Sequence, residues 1–171
     1  MSLRGSAWCS VGLALRSLLW TVLLPGLVAG YLSWRFFGLD QVRIQFGDPR
    51  HLAGLALIIA GCVLLGACIW QFAGTGRGTL SPVDPPTVLV ARGLYRYVRN
   101  PMYLSVTAIL LGEVLLVRST GLLLYWAAWF LAATLFVLGF EEPTLRRQFG
   151  ASYEDYARRV GRWLPRRRHA R

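Results

Sequence analysis

Apolar residues come in four long runs, separated by short polar stretches. The first covers residues 17–34 and is interrupted by Pro25-Gly26. The second, 52–72, contains no charge. The third, 102–117, is apolar apart from Glu113, and the fourth runs from 122 to 140. A bilayer core requires ~20 apolar residues, with a range of ~17–25. The pattern therefore predicts an all-α, polytopic membrane protein with about four transmembrane helices. The third run is short, and Pro101 with the turn residues, or local bilayer thinning, completes it. Pro25 predicts a kink in the first run, which membrane helices tolerate. A cleaved signal peptide ending near Ala29-Gly30 is the competing reading of that run.

The polar stretches supply the rest. Residues 73–91 hold Gly74, Gly76, Gly78, Pro82, Pro85 and Pro86, which predict a long loop rather than a helix. Arg118-Ser119-Thr120-Gly121 predicts a tight turn, so the third and fourth runs form a short helical hairpin. Glu141-Glu142-Pro143 is expected to end the fourth span, with a polar helix following to Phe149 and Gly150 as its C′ residue. Ser152 and Asp155 resemble a capping box at the start of a last helix. That helix, 153–160, carries Tyr153, Tyr156 and Val160 on one side, and arginines flank it. Such an amphipathic helix suits a membrane surface. Trp163-Leu164-Pro165 stops it. The chain thus divides into an N-terminal pair of membrane helices, 1–72, and a unit of loop, hairpin and C-terminal segment, 73–171.

Composition sharpens the picture. Of 171 residues 55% are hydrophobic and 16% charged, yet the formal net charge is +11. All 19 basic residues are arginine. A basic protein is open to nucleic acid, but the apolar runs make an anionic bilayer the expected partner and argue against nucleic acid. Cys9, Cys62 and Cys68 have no metal-ligand spacing and read as small apolar residues. With only His51 and His169 to add, a metal enzyme is disfavoured. On the four-span reading, 15 arginines share one side with both termini and 4 lie on the other. The positive-inside rule then makes the N- and C-termini cytoplasmic, in a bacterial plasma (inner) membrane.

The most distinctive stretch is Gly93-Leu94-Tyr95-Arg96-Tyr97-Val98-Arg99-Asn100-Pro101-Met102-Tyr103. Pro101 has a fixed φ and no N–H to lose, so it suits a first helical turn. Asn100 becomes the N-cap of that helix. Arginines at a helix N-terminus attract a carboxylate or phosphate. The plainer reading is that Tyr and Arg here are interfacial anchors. Glu141-Glu142 likewise reads either as a solvated helix end or as a functional pair, since a helix C-terminus disfavours carboxylates. Glu113 inside a span is either functional or a snorkelling partner for Arg118.

Taken in order, residues 93–103, the hairpin, Glu141-Glu142, Phe149-Gly150-x-x-Tyr153-x-x-Tyr156 and Trp163-Leu164-Pro165 resemble the isoprenylcysteine carboxyl methyltransferase and phospholipid methyltransferase family of integral membrane enzymes. The resemblance covers roughly residues 82–165. It implies S-adenosylmethionine as cofactor, held by the loop, the hairpin and the C-terminal helix rather than by a Rossmann domain. It places cofactor contacts at Val88, Leu89 and Val90 in the loop, and at Tyr95 and Arg99 before the hairpin. It adds Asn100, Pro101, Met102 and Tyr103 at the start of the third span, and Glu141 and Glu142 after the fourth. It assigns no catalytic residue. Two positions depart from the family pattern. Its histidine is Asn100 here, which hydrogen-bonds but does not titrate. The substrate-binding arginine of the prenylcysteine enzymes is Val137 here, which removes a bidentate clamp for a carboxylate.

The reading that follows is an S-adenosylmethionine-dependent methyltransferase acting on a lipophilic substrate, a prenylcysteine-like carboxylate or a lipid amine. Two alternatives stand beside it. One is an NADPH-dependent membrane reductase of the sterol type, with the arginine-rich loop on the 2′-phosphate. The other is a non-enzymatic anchor whose arginines bind anionic lipid. Neither the substrate nor the oligomeric state follows from the sequence.

Overall fold

The computed structural model describes residues 25–39, 42–75, 89 and 91–166. Most of the first apolar run, including the cleavage question, lies outside them. So do Val88 and Val90. Most of the described residues are helical, and no β-strand occurs among them. A π-helical turn, Gly26–Tyr31, leads into α1, Leu32–Phe37, which Gly38 ends in the left-handed region at φ 71°. The long helix α2 spans Pro49–Thr75. It extends into residues 73–75, where the glycine- and proline-rich stretch predicted a loop. A 3-10 turn, Gly93–Arg96, then introduces α3, Pro101–Val117. Helix α4, Thr120–Phe136, passes through a second π-helical turn, Val137–Glu141, into α5, Glu142–Phe149. Helix α6, Ala151–Arg159, completes the order.

The predicted hairpin is present. Arg118 adopts φ 58°, and the Ser119 hydroxyl accepts from the Leu122 N–H at 3.4 Å, capping α4. The predicted stop at Glu141-Glu142-Pro143 is not. A proline ring in a regular helix clashes with the carbonyl four residues back and leaves that bond unmade. Here the π turn absorbs the problem, with the Glu142 N–H bonding five residues back to Val137, and the helix continues.

Helix α3 is the hub. Its Val106, Ile109 and Leu110 form a core with Val28 and Ala29 of the first π turn, backed by Ile58 and Leu65 of α2 and Tyr125, Trp126 and Trp129 of α4. Two longer-range bonds pin this arrangement. Tyr125 donates to the Val28 carbonyl at 3.0 Å, and the Trp126 indole donates to the Thr107 carbonyl at 3.2 Å. Against α2, α3 packs antiparallel at backbone contact. A methyl group on Gly112 would lie 2.5 Å from the Gly54 carbonyl oxygen, and one on Gly61 would lie 2.7 Å from that of Ser105. Small residues allow this approach. Gly66, further along the same helix, faces open space.

The outer faces of α2 and α4 are apolar and exposed, with Leu52, Ile59, Val63, Leu124, Leu131 and Leu135 all uncovered. Residues Pro49–Gln71 and Thr120–Phe149 are long and apolar enough to cross a membrane. Helix α3 is shorter at 17 residues. Exposed apolar faces around a packed centre are what lipid requires and water penalises. The protein is a membrane protein.

Candidate active site

At one end of the helical assembly, the 93–103 segment, the α4–α5 junction and the C-terminal stretch after α6 converge. Gly93 begins the first of these at φ +56°, a left-handed conformation that favours glycine, close against the Gln71 side chain near the end of α2. The Leu94 N–H donates to Gln71 Oε1 at 3.4 Å. The chain then turns through the 3-10 segment, and Val98 forms an isolated parallel bridge with Gly161. Arg99 N–H donates to the Gly161 carbonyl at 2.8 Å. Residues separated by more than sixty positions are thus joined through their backbones.

Asn100 stands at the N-cap position and Pro101 begins α3, as predicted. The capping bond itself is absent. Asn100 instead donates through Nδ2 to the Arg162 carbonyl at 3.4 Å, and it is buried. The side chain that would have closed the helix end has a tertiary partner. Met102 lies half-buried on the first turn of α3. Tyr103, one residue further, donates its hydroxyl to Glu141 Oε2 at 3.2 Å.

The two adjacent glutamates have different partners. Glu141 faces Tyr103. Glu142 receives Arg162 in a two-pronged pair, Nε to Oε1 at 2.6 Å and Nη2 to Oε2 at 3.0 Å. Arg99 Nη2 reaches the same Oε1 at 3.3 Å. The Glu142 and Arg99 side chains are only 6% and 10% exposed, so that pair is shielded from screening by salt, while the Arg162 side chain is 32% exposed. Its hydrogen bond to Glu142 holds the Arg162 guanidinium above the usual arginine range. Arg99 Nη1 also donates to the Tyr153 hydroxyl at 3.3 Å, while Arg99 Nε is buried without a partner among the described residues.

Helix α6 presents its tyrosines inward. Tyr153, Tyr156 and Val160 form a second core with Leu89, Leu145 and Phe149. The predicted one-sided pattern is therefore real, but its apolar side is covered by the chain itself rather than by lipid headgroups. The predicted Ser152 capping box does not form: the helix begins at Ala151, directly after Gly150 at φ 52°. Asp155 pairs with Arg158 instead. Tyr156 donates to the Tyr95 carbonyl at 2.6 Å. Burial raises the phenols of Tyr95, Tyr153 and Tyr156 above the ordinary tyrosine range, so all three stay neutral at physiological pH. Of the loop residues proposed for the cofactor, Leu89 reaches this cluster.

Around Tyr103 the aromatic rings gather. Trp163 meets it edge-on, with centroids 6.4 Å apart, and packs on Phe130 at 5.3 Å. Trp129 lies 6.4 Å from Tyr103, its indole N–H buried and without a partner among the described residues. Glu113 takes no part. It sits ten residues beyond Tyr103 on α3, about 15 Å along the axis, and is 3% exposed. The pair with Arg118, one of its two sequence readings, does not form; its neighbour is Ser33 of α1, also buried.

A family model for phospholipid methyltransferases matches residues 49–152, more than half of the chain. The chain belongs to the phospholipid methyltransferase family. The match takes in α2, the hairpin and α5, and it begins well before residue 82, where the resemblance in motifs started. No curated protein and no solved structure matches the chain. The family is one of membrane methyltransferases, in keeping with the apolar outer faces of α2 and α4. Arg162 and Trp163 lie past the end of the match, and they complete the cluster that the matched residues begin. Sequence reasoning used Trp163 as a helix stop and as part of a terminal motif of the resemblance, with no role in the site, and Arg162 only as a flanking charge. The available signal was a single arginine directly preceding Trp-Leu-Pro, with two glutamates twenty residues earlier awaiting a cation.

Proposed function

We propose that this protein is a membrane-embedded methyltransferase that uses S-adenosylmethionine and acts on a lipophilic substrate. The observation that carries the reading is the convergence of Arg99, Tyr103 and Glu141 at one end of α3. The donor set suits this cofactor. The buried, unpartnered Nε of Arg99 is a donor for a carboxylate, and Glu141 is an acceptor for an ammonium or hydroxyl group. When bound, S-adenosylmethionine supplies an electrophilic methyl group on a sulfonium centre. In-line transfer of that group requires alignment more than acid–base catalysis.

The chain's own residues are arranged for alignment. Tyr103 holds the Glu141 carboxylate in one orientation. Glu142 is committed to Arg99 and Arg162, so it fixes the floor of the site rather than contacting the cofactor. Asn100 is committed to the Arg162 carbonyl and does not ionise, so it moves no proton. The buried Val137, fully enclosed at the α4–α5 junction, leaves no clamp for a substrate carboxylate, which favours a lipid amine over a prenylcysteine. On the four-span reading this end of the assembly faces the cytoplasm, where the cofactor is made.

Titration calorimetry on detergent-purified protein tests the proposal. Parent protein is expected to bind S-adenosylmethionine. Glu141→Gln should weaken it about tenfold or more, the effect of removing a charge-assisted hydrogen bond worth ~1.5–3 kcal/mol. Binding of NADPH without S-adenosylmethionine would instead select the reductase reading.

A further inference from the structure

Trp163 owes its place in the cluster to unusually firm anchoring. The Gly161 carbonyl accepts from the Arg99 N–H at 2.8 Å. The Arg162 carbonyl accepts from Asn100 at 3.4 Å, and the Arg162 guanidinium grips Glu142 with two bonds. The two residues immediately before Trp163 are thus tied at three points to the start of α3 and to the α4–α5 junction. A tryptophan that serves only as a membrane-interface anchor has no need of such fixing.

The surroundings of the indole suit a cation. Aromatic faces carry negative electrostatic potential, and tryptophan attracts cations best of the three rings. Trp163 is half-buried, with Tyr103 at its edge and Phe130 on one flank, so the residue is not fully enclosed. Tyr103 in turn carries Glu141 on its hydroxyl. Of the nearby arginines, Arg99 and Arg162 are both engaged by the Glu142 carboxylate.

Resting on the S-adenosylmethionine reading above, we propose that Trp163 is a cofactor-contacting residue whose indole face receives the sulfonium cation. Arg162 is the positioning residue that sets the ring there. The proposal concerns charge, so its test compares two ligands that differ in it. S-adenosylmethionine carries the sulfonium; S-adenosylhomocysteine has a neutral thioether in its place.

Affinities of both ligands are measured by calorimetry on the full-length protein in detergent, for parent, Trp163→Ala, Trp163→Phe and Arg162→Lys. In Trp163→Ala the preference for S-adenosylmethionine over S-adenosylhomocysteine should fall by about three- to thirtyfold, the range of a cation–π contact. Trp163→Phe should fall between parent and alanine, and it keeps the test valid if the alanine variant does not fold. Arg162→Lys, which retains charge but loses the two-pronged grip, should move the same ratio in the same direction while leaving Trp163 in the chain. Equal weakening of both ligands, or of neither, would overturn the role of Trp163. So would an effect confined to the Michaelis constant of an amine substrate. Failure of the parent protein to bind either ligand would overturn the cofactor reading itself, a different result from any of these.

Discussion

Asn100 shows how much a single side chain can be redirected. Its position at the helix start follows from Pro101, but its hydrogen bond goes to the Arg162 carbonyl 62 residues away. Asn100→Ala therefore removes a tertiary link and leaves a partly buried carbonyl unpaired. The expected cost is about 1 kcal/mol in thermal or denaturant unfolding. The pH profile of methyl transfer between pH 5 and 9 should be the same in parent and Asn100→Ala, since neither residue ionises. Asn100→His can make the same donation, and a new limb near pH ~6.5 in that variant alone would indicate a proton-moving role for the family's histidine. Glu141 and Glu142 make the complementary point. They are neighbours of identical chemistry, and only the packing of α3 and the C-terminal stretch sends one to Tyr103 and the other to two arginines.

The elements are shaped by a few local irregularities. The π turn at Val137–Glu141 lets one helix carry Pro143 without stopping, which holds Glu141 and Glu142 at the junction of a long helix instead of in a frayed end. Helix α2 meets α3 through glycine at both Gly54 and Gly112, with no room for a methyl group. Gly112→Ala should cost ~1–3 kcal/mol from overpacking, read as a lowered midpoint in detergent melts. Gly66→Ala, on the same helix as Gly54 but facing open space, should be neutral or stabilising, because alanine is the better helix former by ~1 kcal/mol. Equal effects from the two substitutions would contradict the close approach. Helix α6 illustrates a limit of periodicity: Tyr153, Tyr156 and Val160 mark an apolar side, but the same pattern serves lipid or protein.

For the whole molecule, the arginine distribution is the strongest statement about orientation. Given four spans, 15 of 19 arginines share a side with the candidate site. Reporter fusions at Arg171 and within residues 35–50 are expected to report opposite compartments, with Arg171 cytoplasmic. A C-terminus on the far side would separate the site from the cytoplasmic pool of cofactor and contradict the proposed activity.

The sequence alone determined the helical class, the membrane setting, the hairpin and the family. Each depends on local quantities: runs of apolar residues, a turn at Arg118-Ser119, a proline that starts a helix, motifs in a fixed order. The resemblance in motifs also assigned Tyr103 and Glu141 to one site. The tertiary structure decided which partner each polar group took. Asn100 could cap or reach across, Glu113 could pair with Arg118 or turn toward Ser33, and the last helix could face lipid or the chain. Each choice is a competition between a local bond and a distant one of similar strength, about 1 kcal/mol. Packing settles such contests, because only the folded chain fixes which distant groups are close enough to compete. Arg162 and Trp163 belong to that second kind: nothing in their local pattern places them beside Glu142 and Tyr103.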